Sequence, residues 1–449
     1  MEPIIIVVVM AAAVLTGAII LKGRREKPIL NYPFPAETLQ TPPDYPDLKF
    51  AVISDPHYYD PTLGTEGAAF EAYMLTDRKL LSESRELLEL AIDEIIASDA
   101  ELVLIPGDMT REGEALCHQG VVKALARLQE AGKKVYVVPG NHDINVLHSA
   151  VRFEGERTFR VDTITAADFA RLYHDFGYSE ALCRDNASLS YTVALKENLW
   201  LVALDACRYN ENSAEVDQVG GRLTQESLNW LAGILQAANR KQIAVMVMMH
   251  HGAVEHWPGQ GKLHHEYLID DYQRFNRFLS VYGVRLAFSG HYHSQDVAVA
   301  DYGTEGFIFD IETGSLISPD CPIRFCCIKE NRLELKSVNL IDKLKPGTSF
   351  ADQAASFMLK TLEMEVIKAL RKYRVSLKDA NQIAKHVAVA FAAHARGDEE
   401  KACRPSFNPE ILSPWGRFIY SRQKNIIEGL WQNPGPSDLN LTLNLSTER

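Results

Sequence analysis

The chain has 449 residues, 46% hydrophobic and 24% charged, with a formal net charge of −12. These proportions exclude a mostly disordered chain, a collagen-like chain and a polytopic membrane protein, and the acidic balance speaks against a nucleic-acid partner held by a basic surface. Seven Cys, with no Cys-x-x-Cys pair, are too few for a disulfide framework.

Pro3 to Leu21 carries no charged residue, and Lys22, Arg24, Arg25 and Lys27 follow at once. A helix of about 19 residues spans about 28 Å, close to the ~30 Å hydrocarbon core. Residues 1–27 are therefore expected to be an uncleaved N-terminal transmembrane anchor with a basic flank. The membrane becomes a partner, and the flank favours a cytoplasmic body. Residues 28–48 read as a Pro-rich stalk.

The body, 49–346, alternates short apolar runs with helical patterns. Runs 50–54, 102–105 and 135–138 are the continuous apolar strands of a sheet buried on both faces. Helical spacings at 82–98 and 114–131 separate them, and that order implies parallel strands with right-handed crossovers. Paired strands are expected at 188–194 and 199–204. A helix at 224–239 opens on Thr224, with Ser227 where a capping box would place Glu. Buried strands at 243–249 and 284–288 follow, then short strands at 297–300, 307–311 and 323–328. After residue 346 the pattern becomes Ala/Leu-rich, with helices at 349–373, 377–396 and 415–432 in a small helical domain, 347–436. Residues 437–449 read as a polar tail.

Five strand ends carry side chains suited to a metal. They are Ser54-Asp55-Pro56-His57, Gly107-Asp108, Gly140-Asn141-His142-Asp143, His250-His251 and Gly290-His291-Tyr292-His293. Any one alone reads as a turn. Five in order, each after an apolar run, converge on the crevice at the carboxyl ends of the strands. Carboxylates, imidazoles and an amide oxygen suit divalent cations that must stay Lewis-acidic.

The order Asp-x-His, Gly-Asp, Gly-Asn-His-Asp, Val-x-x-His, Gly-His-x-His resembles the calcineurin-like metallophosphoesterase superfamily, over about residues 50–336. The resemblance implies an α/β fold, a four-layer sandwich with two central mixed sheets, beside the added helical domain. It implies two divalent metal ions (Mn²⁺, Fe, Zn²⁺ or Mg²⁺): Asp55, His57 and His293 on one, Asn141, His250 and His291 on the other, and Asp108 bridging. The expected chemistry is hydrolysis of a small-molecule phosphoester by a hydroxide held between the cations. His142 is assigned to leaving-group protonation or phosphoryl stabilisation. Asp143 is expected to orient its ring, or to act as a simple helix cap. His251 either supports its neighbouring ligand or touches substrate. The insertion 252–266, with His256, Trp257, His264 and His265, is expected either to overhang the site and contact substrate or to be a plain surface loop. Arg111 either meets a phosphate or forms a surface ion pair. His118, His148, His174, His386 and His394 are read as structural.

Purple acid phosphatases carry Tyr three residues after the bridging Asp, where Arg111 stands here. Protein Ser/Thr phosphatases carry Gly-Asp-x-x-Asp-Arg-Gly and Gly-Asn-His-Glu, from which this chain departs. The run Gly107-Asp108-Met109-Thr110-Arg111-Glu112-Gly113 is similar to bacterial class III cyclic-nucleotide phosphodiesterases. The expected function is therefore a metal-dependent phosphodiesterase acting on a cyclic nucleotide or similar diester. The alternative is a phosphomonoesterase or nucleotidase acting on nucleotide or envelope phosphates. A non-catalytic scaffold is disfavoured because every ligand position is filled.

Overall fold

The structure is a computed structural model that describes residues 29–36, 42–75, 77–399, 404–432 and 438–446. Its strands in chain order are β1 (Leu48–Val52), β2 (Leu102–Ile105), β3 (Lys134–Val137), β4 (Val151–Glu154), β5 (Arg157–Arg160), β6 (Cys183–Arg184), β7 (Tyr191–Lys196), β8 (Leu199–Leu204), β9 (Ala244–Met249), β10 (Leu286–Ser289), β11 (Asp296–Asp301), β12 (Phe307–Glu312), β13 (Pro322–Lys329), β14 (Arg332–Asn339) and β15 (Asn440–Asn444). One sheet has the order β15-β14-β13-β1-β2-β3 and the other β11-β12-β10-β9-β8-β7-β6, with β4 and β5 forming a separate hairpin. Both sheets are mixed: β1-β2-β3 and β8-β9-β10-β12 run parallel, and the flanking strands pair antiparallel.

The apolar runs are continuous because each central strand feeds two cores. In β8, Leu199, Leu201 and Ala203 face the core between the sheets, while Trp200, Val202 and Leu204 face outward. Successive strand residues point to opposite faces, so both sets must be apolar. Phe50 of β1 and Phe288 of β10 meet edge to face across the sheets at 5.3 Å. The outer layers are helices. Ser84–Ala97 buries Leu87, Leu88, Ala91, Ile92 and Ile95, and Gln225–Lys241 buries Leu228, Leu231 and Leu235. Thr224 caps the latter by accepting from the Ser227 backbone N–H at 3.0 Å. The result is the four-layer α/β sandwich expected, with a C-terminal helical region. That region pairs the helices Phe350–Lys372 and Leu377–Arg396 and adds Pro414–Gly429.

Three expectations change. The described part of 28–48 is a strap rather than a free stalk, because its apolar residues find partners. Leu30 and Tyr32 are buried, Tyr32 meets Phe278 edge to face at 5.6 Å, and the Tyr45 hydroxyl donates to the Val245 carbonyl at 2.7 Å. The tail is partly sheet: β15 pairs with β14, placing Leu441 opposite Leu335 and Leu443 opposite Leu333. The membrane-anchored localisation is corrected. Among the described residues no helix is long and apolar enough to cross a membrane, and residues 1–27, on which that expectation rested, lie outside the described residues.

Candidate metal centre

The five motifs extend the carboxyl ends of β1, β2 and β3 in one sheet and of β9 and β10 in the other. Their loops are stitched together by main chain: Asp55 N–H donates to Gly107 O at 3.3 Å, His57 N–H to Asp108 O at 3.0 Å and Gly290 N–H to His250 O at 3.1 Å. Asp55, His57, Asp108, His291 and His293 all have positive φ, between 38° and 73°. Such left-handed residues cost about 1–3 kcal/mol each, and surrounding structure must hold them there. Two glycines permit the close approach. A Cβ on Gly140 would collide with the Asp108 carboxylate, and one on Gly290 would collide with Ser54 and the Asp55 carboxylate.

The side chains form two donor groups, Asp55 with His57, Asp108 and His293, and Asp108 with His250 and His291. In the first, His57 Nε2 lies 3.2 Å from His293 Nε2, and His293 Nε2 lies 3.2 Å from Asp55 Oδ1. In the second, His250 Nε2 lies 3.1 Å from Asn141 Oδ1. Asp108 Oδ2 sits between the groups, 3.6 Å from His57 Nε2 and 3.4 Å from His250 Nε2. Atoms bound to one cation at about 2.0–2.2 Å stand about 3.0–3.5 Å apart, so these separations fit metal ligands. Their outer hydrogen bonds fix the rings. His250 Nδ1 donates to Pro106 O at 2.8 Å, and His291 Nε2 donates to Glu266 O at 3.2 Å, which leaves Nδ1 for an ion. Burial holds His57 and His291 well below the usual imidazole range, so both are neutral and able to ligate. Burial opposes charging of His250 as well, but adjacent Asp108 lifts it to about 9. A cation there would displace that proton.

The family model for calcineurin-like phosphoesterase matches residues 48–295. The chain belongs to the calcineurin-like phosphoesterases. As a member it is a metal-dependent phosphoester hydrolase acting on small-molecule phosphoesters, and the family implies two divalent metal ions. Solved structures similar to this chain include a dimetal phosphatase from Danio rerio (16% identity, covering 66% of this chain and 97% of that one, TM-score 0.49). Others are a purple acid phosphatase from yellow lupin seeds (10%, 66% and 52%, 0.38) and a phosphopantetheinyl hydrolase from Mycobacterium tuberculosis (11%, 60% and 90%, 0.30). No curated protein matches the chain.

In this phosphoesterase the remaining candidates, His251 apart, fall differently from expectation. His142 stands at the mouth with its side chain 28% exposed, but Asp143 does not touch its ring. The Asp143 carboxylate accepts from the backbone N–H groups of Gly140, Met109 and Thr110, locking two ligand loops together. The ring of His142 is held by Glu112, whose Oε2 lies 3.0 Å from Nδ1 and also accepts from Ser149 Oγ at 2.6 Å. Burial opposes the charge on His142, yet Glu112 and Asp108 raise it to about 9.

Arg111 is shut away from solvent. It is fully buried, pairs with Glu114 at 2.7 Å and sits over the rings of Tyr59, Tyr73 and Phe153 at 5.1–5.2 Å. His251 is also fully buried, and its Nε2 donates to Val219 O at 2.9 Å. Its ring supports His291 at 4.5 Å. The insertion 252–266 folds inward at His256, Trp257 and His264, and its last residue, Glu266, holds the ring of His291. Trp257 is 1% exposed in the core of the helical region, His256 lies among buried carboxylates and His264 is packed between Trp257 and Tyr292. The helical region covers a polar run that sequence alone reads as exposed.

Two residues were missed. Glu112 gives no local signal, since it stands 30 positions from His142. Lys79, whose Nζ lies 3.6 Å from Asp77 Oδ2, is close enough to His57 and His142 for its charge to disfavour their protonation.

Proposed function

We propose that this chain is a phosphodiesterase whose dimetal site is built from Asp55, His57, Asp108 and His293 for one ion, and Asp108, Asn141, His250 and His291 for the other. The observation that carries the reading is the position of Asp108 Oδ2, 3.6 Å from His57 and 3.4 Å from His250, and so common to both donor groups. Two cations bound there supply Lewis acidity and an activated water. His142, with Nδ1 held by Glu112, presents Nε2 to the leaving-group oxygen and donates its proton there. Glu112 is a positioning residue that acts through His142. Asp143 fixes the loops that carry Asp108 and Asn141.

Diester preference is supported by the withdrawal of Arg111 into its aromatic box, which leaves that guanidinium unable to neutralise the second charge of a monoester dianion. The resemblance of 107–113 to cyclic-nucleotide phosphodiesterases points the same way. Lys79 favours a second reading, a monoester phosphatase or nucleotidase, because its ammonium stands near His57 and His142. The discriminating measurement is kcat/KM on bis-(p-nitrophenyl) phosphate against p-nitrophenyl phosphate with Mn²⁺, alongside 2′,3′- and 3′,5′-cyclic nucleotides. Diester preference with cyclic-nucleotide turnover is expected. A tenfold or greater monoester preference that Lys79→Ala abolishes would replace the first reading with the second.

A further inference from the structure

Behind the dimetal centre lies a second buried group of metal-ligand side chains. Asp296 opens β11, three residues beyond His293. His394 lies in the last turn of the helix Leu377–Arg396, and Glu399 follows it. His256 reaches in from the insertion after β9. All four are buried, between 2% and 8% exposed. Donor atoms of Asp296, His394 and Glu399 lie within 4.8 Å of one another. His394 Nδ1 is 3.7 Å from Asp296 Oδ2 and 2.6 Å from Glu399 Oε1, and His256 Nδ1 is 3.6 Å from the same Asp296 oxygen.

Among the described residues further carboxylates crowd this group. Asp310 and Glu312 of β12 face His256 Nε2 at 3.5 and 3.6 Å. Asp310 is satisfied by the N–H groups of Ala253 and Val254 and by Ser289. The neighbouring Arg324 donates to the main-chain carbonyls of Glu312 and Asp438 instead of to a carboxylate. Among the described residues neither ring nitrogen of His256 finds a hydrogen-bond partner, nor do His394 Nε2 and Glu399 Oε2. Buried carboxylates crowded together are costly unless cations or donors balance them. The 3.7 Å between His394 Nδ1 and Asp296 Oδ2 would close by about 0.4 Å to reach the about 3.3 Å edge of a tetrahedron with metal–ligand lengths of about 2.0–2.1 Å. The His394–Glu399 contact would open by about 0.7 Å to reach that edge.

We propose that Asp296, His394 and Glu399 bind a further divalent cation of the Zn²⁺ or Mn²⁺ class. Two carboxylates and an imidazole suit such ions, and two anionic ligands neutralise the cation inside the fold. The ion staples the end of the Leu377–Arg396 helix, and Glu399 beyond it, to the start of β11. It is structural, because its donors are buried on every side and none faces the cleft of His142.

The test uses the full chain. Wild type, Glu399→Gln and His394→Gln are stripped of metal, reloaded separately with Zn²⁺ and Mn²⁺, desalted, and analysed for metal per chain. Each variant is expected to carry one ion fewer than wild type and to unfold at lower temperature. Folded variants with the wild-type metal count would overturn the proposal, and would leave His⁺–carboxylate pairing as the balance of the cluster. Glu399→Gln preserves shape and serves if His394→Gln does not fold. In an Asp108→Ala background, one ion should remain and disappear on adding Glu399→Gln. That arm reads the staple even if the dimetal assignment fails.

Discussion

Glu112→Gln tests whether His142 is held and charged through a carboxylate. The substitution keeps the length of the side chain and an oxygen able to accept from His142 Nδ1 at 3.0 Å, but removes the charge. A charge-assisted hydrogen bond contributes about 1.5–3 kcal/mol and a neutral one about 0.5–1.5 kcal/mol, so the loss is about 1–2 kcal/mol. At 1.36 kcal/mol per tenfold, kcat should fall about 5- to 30-fold with bound metal unchanged. His142→Ala should cost about 10²–10⁴. Because Glu112 acts only through that ring, adding Glu112→Gln to His142→Ala should cost nothing further. The alkaline limb of the pH–rate profile should also move to lower pH, since against burial it is the Glu112 charge that lifts His142 to about 9. Steady-state turnover of bis-(p-nitrophenyl) phosphate, with metal content measured on the same samples, reads all of this. Independent losses that multiply in the double variant, or a loss of metal in Glu112→Gln, would refute the chain of contacts.

Other outcomes follow from the same geometry. Asp108→Ala should lose both ions of the dimetal centre and nearly all activity, and a variant that kept both would remove Asp108 from the bridging position. Gly290→Ala forces a Cβ into the Asp55 carboxylate, and metal affinity should drop by about 10–100-fold, the usual cost of a displaced ligand support; titration with Mn²⁺ checks this. Burial holds His118 at about 4, neutral, with Nε2 donating to Asp143 O and Nδ1 accepting from the Tyr173 hydroxyl. Its stabilising contribution is present above the unfolded value of about 6.5, and up to about 3 kcal/mol of it is lost as pH falls through 6.5 towards 4. The stability gap between wild type and His118→Phe in urea should therefore shrink over that window, and a gap independent of pH would show that the ring is not neutral for this reason.

The metal-bearing loops were legible because they follow strands whose two faces are both apolar, as in β9 and β10. The order of the five motifs then carries the site. What was illegible depends on contacts between distant segments. Arg111 reads as a phosphate contact or a surface ion pair beside the motif, yet the hairpin residue Phe153 and the helix residue Tyr73 close over it. Trp257 and His256 stand in a polar insertion, and only the helical region nearly a hundred residues later turns it inward. β15 was hidden because its alternating Leu441 and Leu443 are embedded in Asn and Thr, and strand pairing rather than composition makes the edge. His394 was read as structural from its apolar helix, and the acids that surround it come from β11 and from beyond the helix end.

The left-handed turns at the strand ends also limit which substitutions selection can try. Asp, Asn and His are the non-glycine types that most readily occupy that conformation, and Asp55, His57, Asp108, His291 and His293 all do so. The main chain thus screens the ligand set before any ion arrives. A drift towards Glu at 55 or 108 would misplace an oxygen and also oppose the local backbone, and a β-branched residue would be rejected without reference to metal at all. The donor chemistry of this centre is in that sense inherited from the shape of its turns, and exchange of one cation for another must come through the residues that surround the ligands.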